Sequence, residues 1–399
     1  MASDTQANLP LAGRPGRIRP YWIVIALLVA AGAALYGYHL ATGRTPDRVA
    51  LRLDFIDFDV FWYGIIIVGG VVLGAWVVAH LAAERAAQLF AETVPIEVRE
   101  RPVARLPLPA KVRAELEKRA GGLGELLFEF GLAPERLGLN RAEAREVGRA
   151  LRQAPGVRSD WVQAPAWRRF SPDHVWGGVA WCLVLAIVFA RLYHVLTPSP
   201  SMAAVGINSP LDYFRQPLQL INLRNGGLGI YGGIFGGALG LWLYTRRHHL
   251  PALTWADLGV VGVALGQAVG RWANFFNQEL YGRPTDLPWA VQIDPLYRLQ
   301  GFEDVARYHP AFIYESLCSL LAFFVLLRLV RRGGSRPGEV TAVYLILYGI
   351  GRILLETVRL DSRSVELGSV SVPVASLVSA GVILAMVAIL IGRRLAGRS

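Results

Sequence analysis

Stretches of about twenty residues that carry almost no charge recur along this chain, and nothing else in the sequence restricts its fold so strongly. Residues 21–40, 61–78 and 374–392 contain no Asp, Glu, Lys or Arg. About 20 apolar helical residues cross the hydrocarbon of a bilayer, because each advances the helix by about 1.5 Å. A soluble core has no need of such runs. Composition agrees: 53% of the 399 residues are hydrophobic and the mean hydropathy is +0.38. The chain is expected to be an all-α integral membrane protein, a polytopic helical bundle.

Spanning helices are expected at about 21–40, 61–82, 175–196, 226–245, 255–276, 310–330, 339–358 and 370–392, eight in all. Charge tests that count, because cytoplasmic loops carry the excess of Lys and Arg. With the N-terminus in the cytoplasm, the inner side receives Arg14, Arg17 and Arg19, the segment 83–174, the Arg246-Arg247-His248-His249 turn, Arg328, Arg331 and Arg332, and the tail with Arg393, Arg394 and Arg398. The outer segments 41–60, 197–225, 277–309 and 359–369 hold fewer basic residues. The net charge of +11 is thereby assigned to cytoplasmic loops, and no nucleic-acid partner is implied. The first apolar run is too long for a cleavable signal and has no small-residue cleavage pattern behind it. The expected organisation is a cytoplasmic tail (1–20), an additional first span (21–40), the first part of a membrane core (55–82), a basic cytoplasmic insertion (83–174) and the rest of the core (175–395).

The insertion alternates charged residues with short apolar stretches, such as Lys111–Arg119 and Leu123–Leu132, and is interrupted by prolines. It reads as a small helical appendage or a partly disordered one, with no catalytic constellation. Its basic face suits anionic headgroups or, more blandly, solvent. The two cysteines, Cys182 and Cys318, sit inside apolar runs and are expected to be buried and unreactive. No Cys/His zinc spacing occurs, and no metal site is expected.

Ionisable residues within spanning helices are costly and usually functional. The richest stretch runs from Gly270 to Gly282. Arg271 and Asn274 are three apart, hence on one helix face, and Asn277, Glu279 and Gly282 follow where the helix should break. A second group, Arg352, Glu356 and Arg359, has spacings of four and three near the end of the seventh span. A third, His309-Pro310 with Tyr314 and Glu315, opens the sixth. A fourth, Trp62-Tyr63-Gly64, opens the second. The alternating direction of the spans puts all four groups at one depth near the outer face. These charges can be interhelical ion pairs that only fix packing. Their clustering at one depth favours a site, and paired arginines suit a phosphodiester because guanidinium grips phosphate oxygens bidentately.

Gly227, Gly229 and Gly232 match the dinucleotide pattern G-x-G-x-x-G, but no strand precedes them and they open an apolar run, so that reading fails. Gly232, Gly236 and Gly240, four apart, predict close packing against another helix.

These motifs resemble the bacterial prolipoprotein diacylglyceryl transferase family, over most of residues 55–395 apart from the insertion. The stretch Gly270–Gly282 is similar to that family's signature G-R-x-G-N-F-x-N-x-E-x-x-G, with Ala273 where the family usually has Gly. His309-Pro310…Tyr314-Glu315 resembles its H-P-x-x-x-Y-E, and Tyr348-Gly349…Arg352…Glu356…Arg359 its last polar helix. Ala190-Arg191-Leu192 and Asn225-Gly226-Gly227…Gly232-Gly233 are also similar to family segments.

The resemblance implies transfer of a diacylglyceryl group from phosphatidylglycerol to the lipobox cysteine in the signal peptide of a preprolipoprotein. A thioether forms and glycerol phosphate leaves, with no cofactor. It implies a bacterial cell (inner) membrane location with the site toward the outer face. Arg271 and Arg352 would hold the phosphate, and Asn274 would add a neutral donor. Glu279 and Glu356 would orient the arginines or the substrate, Tyr63 would line the lipid pocket, and Gly282 would permit a tight turn. His309, Tyr314 and Asn277 complete the substrate site. The family's candidate base is the His of an H-G-G motif, and Tyr231 occupies that place here. Three readings stay open. Tyr231 hydrogen-bonds the lipid while the positive site forms the thiolate, or His194 or His309 substitutes as base, or the protein is inactive. A different class, a non-catalytic lipid-binding or transport protein, would also place an Arg/Glu cluster on broken helices.

Overall fold

The computed structural model describes residues 19–56, 58–198, 200–222, 227–360, 364–367 and 370–396. Asn225 and Gly226 of the predicted glycine segment lie outside the described residues, as do Arg14, Arg17 and Arg398. Long helices occupy all eight expected stretches: α1 (Pro20–Thr42), α2 (Trp62–Thr93), α3 (Asp173–Leu196), α4 (Ile230–Arg247), α5 (Ala252–Gly270), α6 (Ala311–Arg332), α7 (Glu339–Glu356) and α8 (Val374–Ala396). Six are long and apolar enough to cross a membrane, α5 being counted with the short helix Trp272–Asn277 that continues it. The exceptions are α4 and α7, at 18 residues each. Glycines dilute the apolar content of α4, which ends on Arg246 and Arg247; α7 carries Glu339, Arg352 and Glu356.

Proline and glycine set several helix ends. Pro20 starts α1, where a missing N–H costs nothing. Gly43, in the left-handed region, closes α1 by donating to His39 O at 2.8 Å. Leu384, Ile391 and Leu395 of α8 are largely exposed. In water such a surface would drive aggregation, whereas in lipid it is the solvated face. The fold is that of an all-α, multi-pass membrane protein.

The chain forms two compact units, one from Ala79–Trp255 and one from Ile18–Val78 with Ala256–Ser399. In the first, α3 and α4 pack along each other through the predicted glycine face. A Cβ on Gly232 would strike Phe189 O, on Gly236 Leu185 O, and on Gly240 would lie 2.8 Å from Cys182 Cα. The segment between α2 and α3 is a folded helical domain. Its core contains Phe90, Leu116, Phe128, Val147, Leu151 and Trp167, all fully buried. The helix Arg141–Gln153 begins with a capping box, Asn140 accepting from the N–H of Glu143 while Glu143 accepts from that of Asn140.

In the second unit, glycines again allow backbones to meet. Gly74 of α2 faces Gly262 of α5 so closely that a Cβ on Gly262 would sit 2.7 Å from Gly74 O. Buried Asp257 on α5 caps α7, accepting from Gly338 N at 2.6 Å and from Thr341 N at 2.8 Å. Three separate two-stranded antiparallel ribbons lie among the described residues of this unit: β1 (Val49–Leu53) with β2 (Phe58–Phe61), β3 (Val291–Gln292) with β4 (Arg307–Tyr308), and β5 (Ser364–Leu367) with β6 (Val370–Pro373).

The additional first helix is fastened to the β3 ribbon. Tyr36 OH donates to Trp289 O at 2.8 Å, and buried His39 accepts from Gln292 N at 3.0 Å through Nε2. Tyr36 also packs edge-on against Phe275 and Phe312.

Candidate active site

The break after α5 shapes the site. Helix α5 runs to Gly270, the backbone stays helical through Arg271 (φ −62°, ψ −25°), and Trp272–Asn277 carries the helix little more than one further turn. Gln278 and Leu280 then adopt φ of +52° and +53°, a left-handed pair that reverses the chain. Residues 282–284 next lie in an extended path between two other segments. Gly282 N donates to His309 O at 2.9 Å, and Arg283 N to Val358 O at 2.7 Å. These bonds tie the exit of α5, the start of α6 and the end of α7 together.

Arg271, Glu315 and Arg359 meet there. Glu315, buried in the first turns of α6, accepts from Arg271 Nη1 at 2.7 Å and from Arg359 Nη1 at 3.2 Å through its two oxygens. On α7, Arg352 pairs with buried Glu356 one turn on. Arg271 and Arg352 line one narrow cleft among α5, α6 and α7, with free room of only about 30 Å³. Tyr344, whose hydroxyl donates to Gln267 Oε1 at 3.1 Å, and Tyr348 edge the cleft, with Leu347, Leu355 and Ala322 as its apolar wall. Three guanidiniums and two carboxylates leave one positive charge in excess. Both carboxylates are nearly inaccessible, while Arg271 and Arg352 remain partly open at 28% and 22% exposure. Such an arrangement holds the cations in place and leaves them able to take a singly charged anion.

Several predicted residues gather near this cleft without lining it. Asn274, buried, donates to Glu279 Oε1 at 2.9 Å. Glu279 thus engages Asn274, and the carboxylate that Arg271 meets is Glu315. Tyr63 lies within electrostatic reach of Arg271 and Glu279. His309 Nδ1 lies 3.2 Å from Tyr314 OH, which also accepts from Trp289 Nε1 at 3.0 Å. Asn277 ends the short helix. Tyr231 belongs to the other unit, in the first turn of α4, exposed and beside the Tyr193 ring.

Two expectations are corrected. Gly282 is not the residue that makes the tight turn, since the positive φ values fall at Gln278 and Leu280. Its glycine serves close approach: a Cβ would sit 2.6 Å from Val358 O and 2.8 Å from His309 Cβ. Neither cysteine is buried as expected: Cys182 is half-buried, and Cys318 is exposed and lines the cleft beside Gly351.

His194 is buried, its ring edge-on to Tyr213, and its Nε2 has no hydrogen-bond partner among the described residues. Nearby Arg191 donates from Nε to Leu220 O and from Nη1 to Gly227 O, both at 2.9 Å, fixing the chain that leads into α4.

The geometry missed in sequence is the pairing of Glu315 and Arg359. Both residues stood in quoted motifs, and the signal was a carboxylate placed where a spanning helix begins.

Fold and cleft together define a polytopic helical membrane protein with an anion-suited site among its spans. The family model described as prolipoprotein diacylglyceryl transferase matches residues 155–392, and the chain belongs to that family. Trp62, Tyr63 and Gly64 fall outside the matched stretch. The chain is 42% identical over 218 residues to the phosphatidylglycerol–prolipoprotein diacylglyceryl transferase of Frankia alni, covering 54% of each protein. It is 40% identical over 210 residues to that of Chloroflexus aggregans, covering 49% of this chain and 65% of the relative. It is 41% identical over 191 residues to transferase 2 of Streptomyces coelicolor, covering 47% and 57%. The chain thus spans about half to two-thirds of the length of these relatives.

Proposed function

We propose that this protein transfers the diacylglyceryl group of phosphatidylglycerol to the lipobox cysteine of a prolipoprotein, in the cell membrane and toward its outer face. The observation that carries this reading is the shared cleft of Arg271 and Arg352, each arginine held by a buried carboxylate. A phosphodiester there is gripped by guanidinium on both sides. The incoming sulfur forms a bond to the glyceryl carbon that bears the phosphate. The carbon–oxygen bond breaks, and glycerol phosphate leaves with the electron pair. Charge grows on the departing phosphate, and fixed cations are the groups that stabilise it. They also favour thiolate over thiol in the attacking cysteine, whose ordinary pKa is about 8.5. Asn274 and Glu279 shape the turn beside the arginines, Tyr63 lines the lipid path, and Tyr231 does not act as the base.

The test is labelled phosphatidylglycerol with a lipobox peptide and the purified protein, read as a mass increase on the peptide cysteine. Arg271→Ala is expected to lower the rate about 10²–10³-fold with membrane insertion intact, the range for loss of one transition-state donor. Tyr231→Phe is expected to stay within a few-fold of wild type. Full activity of Arg271→Ala would refute the site.

A further inference from the structure

A second, open cleft, of about 480 Å³, lies in the domain between α2 and α3, and the transfer reaction has no use for it. Its rim is arginine. Arg145, Arg149 and Arg152 come from the helix Arg141–Gln153, and Arg168 from the turn Ala166–Phe170. Spacings of four and three put the first three on one helix face, where like charges repel. Some arginines of the same domain are paired, Arg119 with Glu115 at 2.9 Å and Arg158 with Asp160 at 3.0 Å. Among the described residues, Arg145, Arg149 and Arg152 have neither an ion pair nor a side-chain hydrogen bond. No aspartate or glutamate lines the cleft.

Its fourth cation is fixed. Arg168 is half-buried and donates to Gly131 O at 2.6 Å and Gln163 O at 3.2 Å. Phe130 and Val162 form an apolar floor, and at Gly148 a Cβ would press to 3.2 Å of Phe130 Cζ. A cleft with unpaired guanidiniums around an apolar floor matches an amphipathic anion better than bare solvent.

We propose that this cleft binds the phosphate-bearing headgroup of an anionic phospholipid at the bilayer surface. Location decides between a lipid and a soluble anion. Helix α3 begins at Asp173, five residues after Arg168. Five extended residues reach at most about 18 Å, so the cleft stays within reach of the headgroup layer. Exposed Trp176 and Trp181 at the start of α3 are residues suited to that layer. Basic clusters beside a spanning helix are held by anionic lipid, and the attraction fades within a Debye length.

The test is amide hydrogen exchange on the full chain in phosphatidylcholine nanodiscs with and without phosphatidic acid. Phosphatidic acid is expected to slow exchange across Arg141–Gln153 at least about threefold, a local protection that a bound ligand confers. The variant R145Q/R149Q/R152Q is expected to lose that slowing while Leu123–Leu132 exchanges as in wild type, which shows the domain still folded. Equal wild-type exchange in the two nanodiscs would overturn the proposal without need of the variant. So would undiminished slowing in the folded variant. Equal slowing by inorganic phosphate in phosphatidylcholine alone would assign the cleft to a soluble anion and overturn the lipid reading.

Discussion

Glu315 does more in this structure than its sequence position suggests. One carboxylate divides its oxygens between Arg271 and Arg359. Its removal would leave two guanidiniums facing each other with no anion between them. Breaking a buried pair from one side costs about 3 kcal/mol or more, because the remaining charge stays desolvated. Glu315→Gln is therefore expected to lower thermal stability in detergent by about 3 kcal/mol and to reduce transfer along with it. Unchanged stability would mean the pair is solvated in the working protein. The sequence could not single out this carboxylate. Glu279 lies eight residues from Arg271 and Glu315 forty-four, so proximity favoured the wrong partner. The left-handed pair Gln278 and Leu280 turns the chain at Glu279, which meets Asn274 instead. Neither of those two positions is a glycine, so no composition signal announced the reversal.

Helices were more legible than contacts. Apolar runs located the six helices long and apolar enough to cross a membrane, because long, nearly uncharged stretches have few alternatives; α4 and α7 are helical where expected but less apolar. The face of Gly232, Gly236 and Gly240 was legible for the same kind of reason: four-residue spacing of the smallest residue suits only a close helix neighbour. The matching approach of α2 and α5 at Gly74 and Gly262 was not singled out, since each helix contributes glycines that acquire meaning only when paired. Gly262→Leu is expected to destabilise that crossing by about 1–3 kcal/mol, the range for overpacking, read as a lower unfolding temperature in detergent. Gly237→Leu, where added atoms meet open space, is the control expected to change little. The domain between α2 and α3 gives a pH-dependent prediction. Burial pushes the Glu129 carboxyl above its ordinary 4.5, outweighing Arg136 at 3.7 Å. A carboxyl with a raised folded pKa favours folding fully below about pH 4.5, and that benefit is lost as pH rises through the folded value. Permanently neutral Glu129→Gln is thus expected to slow amide exchange across Leu123–Leu132 relative to wild type at neutral pH, and to match wild type in acid. Arg136 keeps its pairing with Asp173 at 2.9 Å in that variant.

Across the chain, the bilayer explains why charged side chains concentrate where helices break. Spans with exposed Leu and Ile face hydrocarbon, so the arginines and glutamates of α5, α6 and α7 turn toward one another and share a cleft. The family match and the cleft lead to one claim, that Arg271 and Arg352 grip the same phosphate. A double-mutant cycle on phosphatidylglycerol binding tests it, with wild type, Arg271→Ala, Arg352→Ala and the double variant in phosphatidylcholine micelles. Each single change is expected to weaken binding at least about tenfold, and the double variant to fall short of the product by about 1 kcal/mol or more, since both act on one group. Losses that multiply fully, or singles that bind as wild type does, would contradict a shared phosphate site.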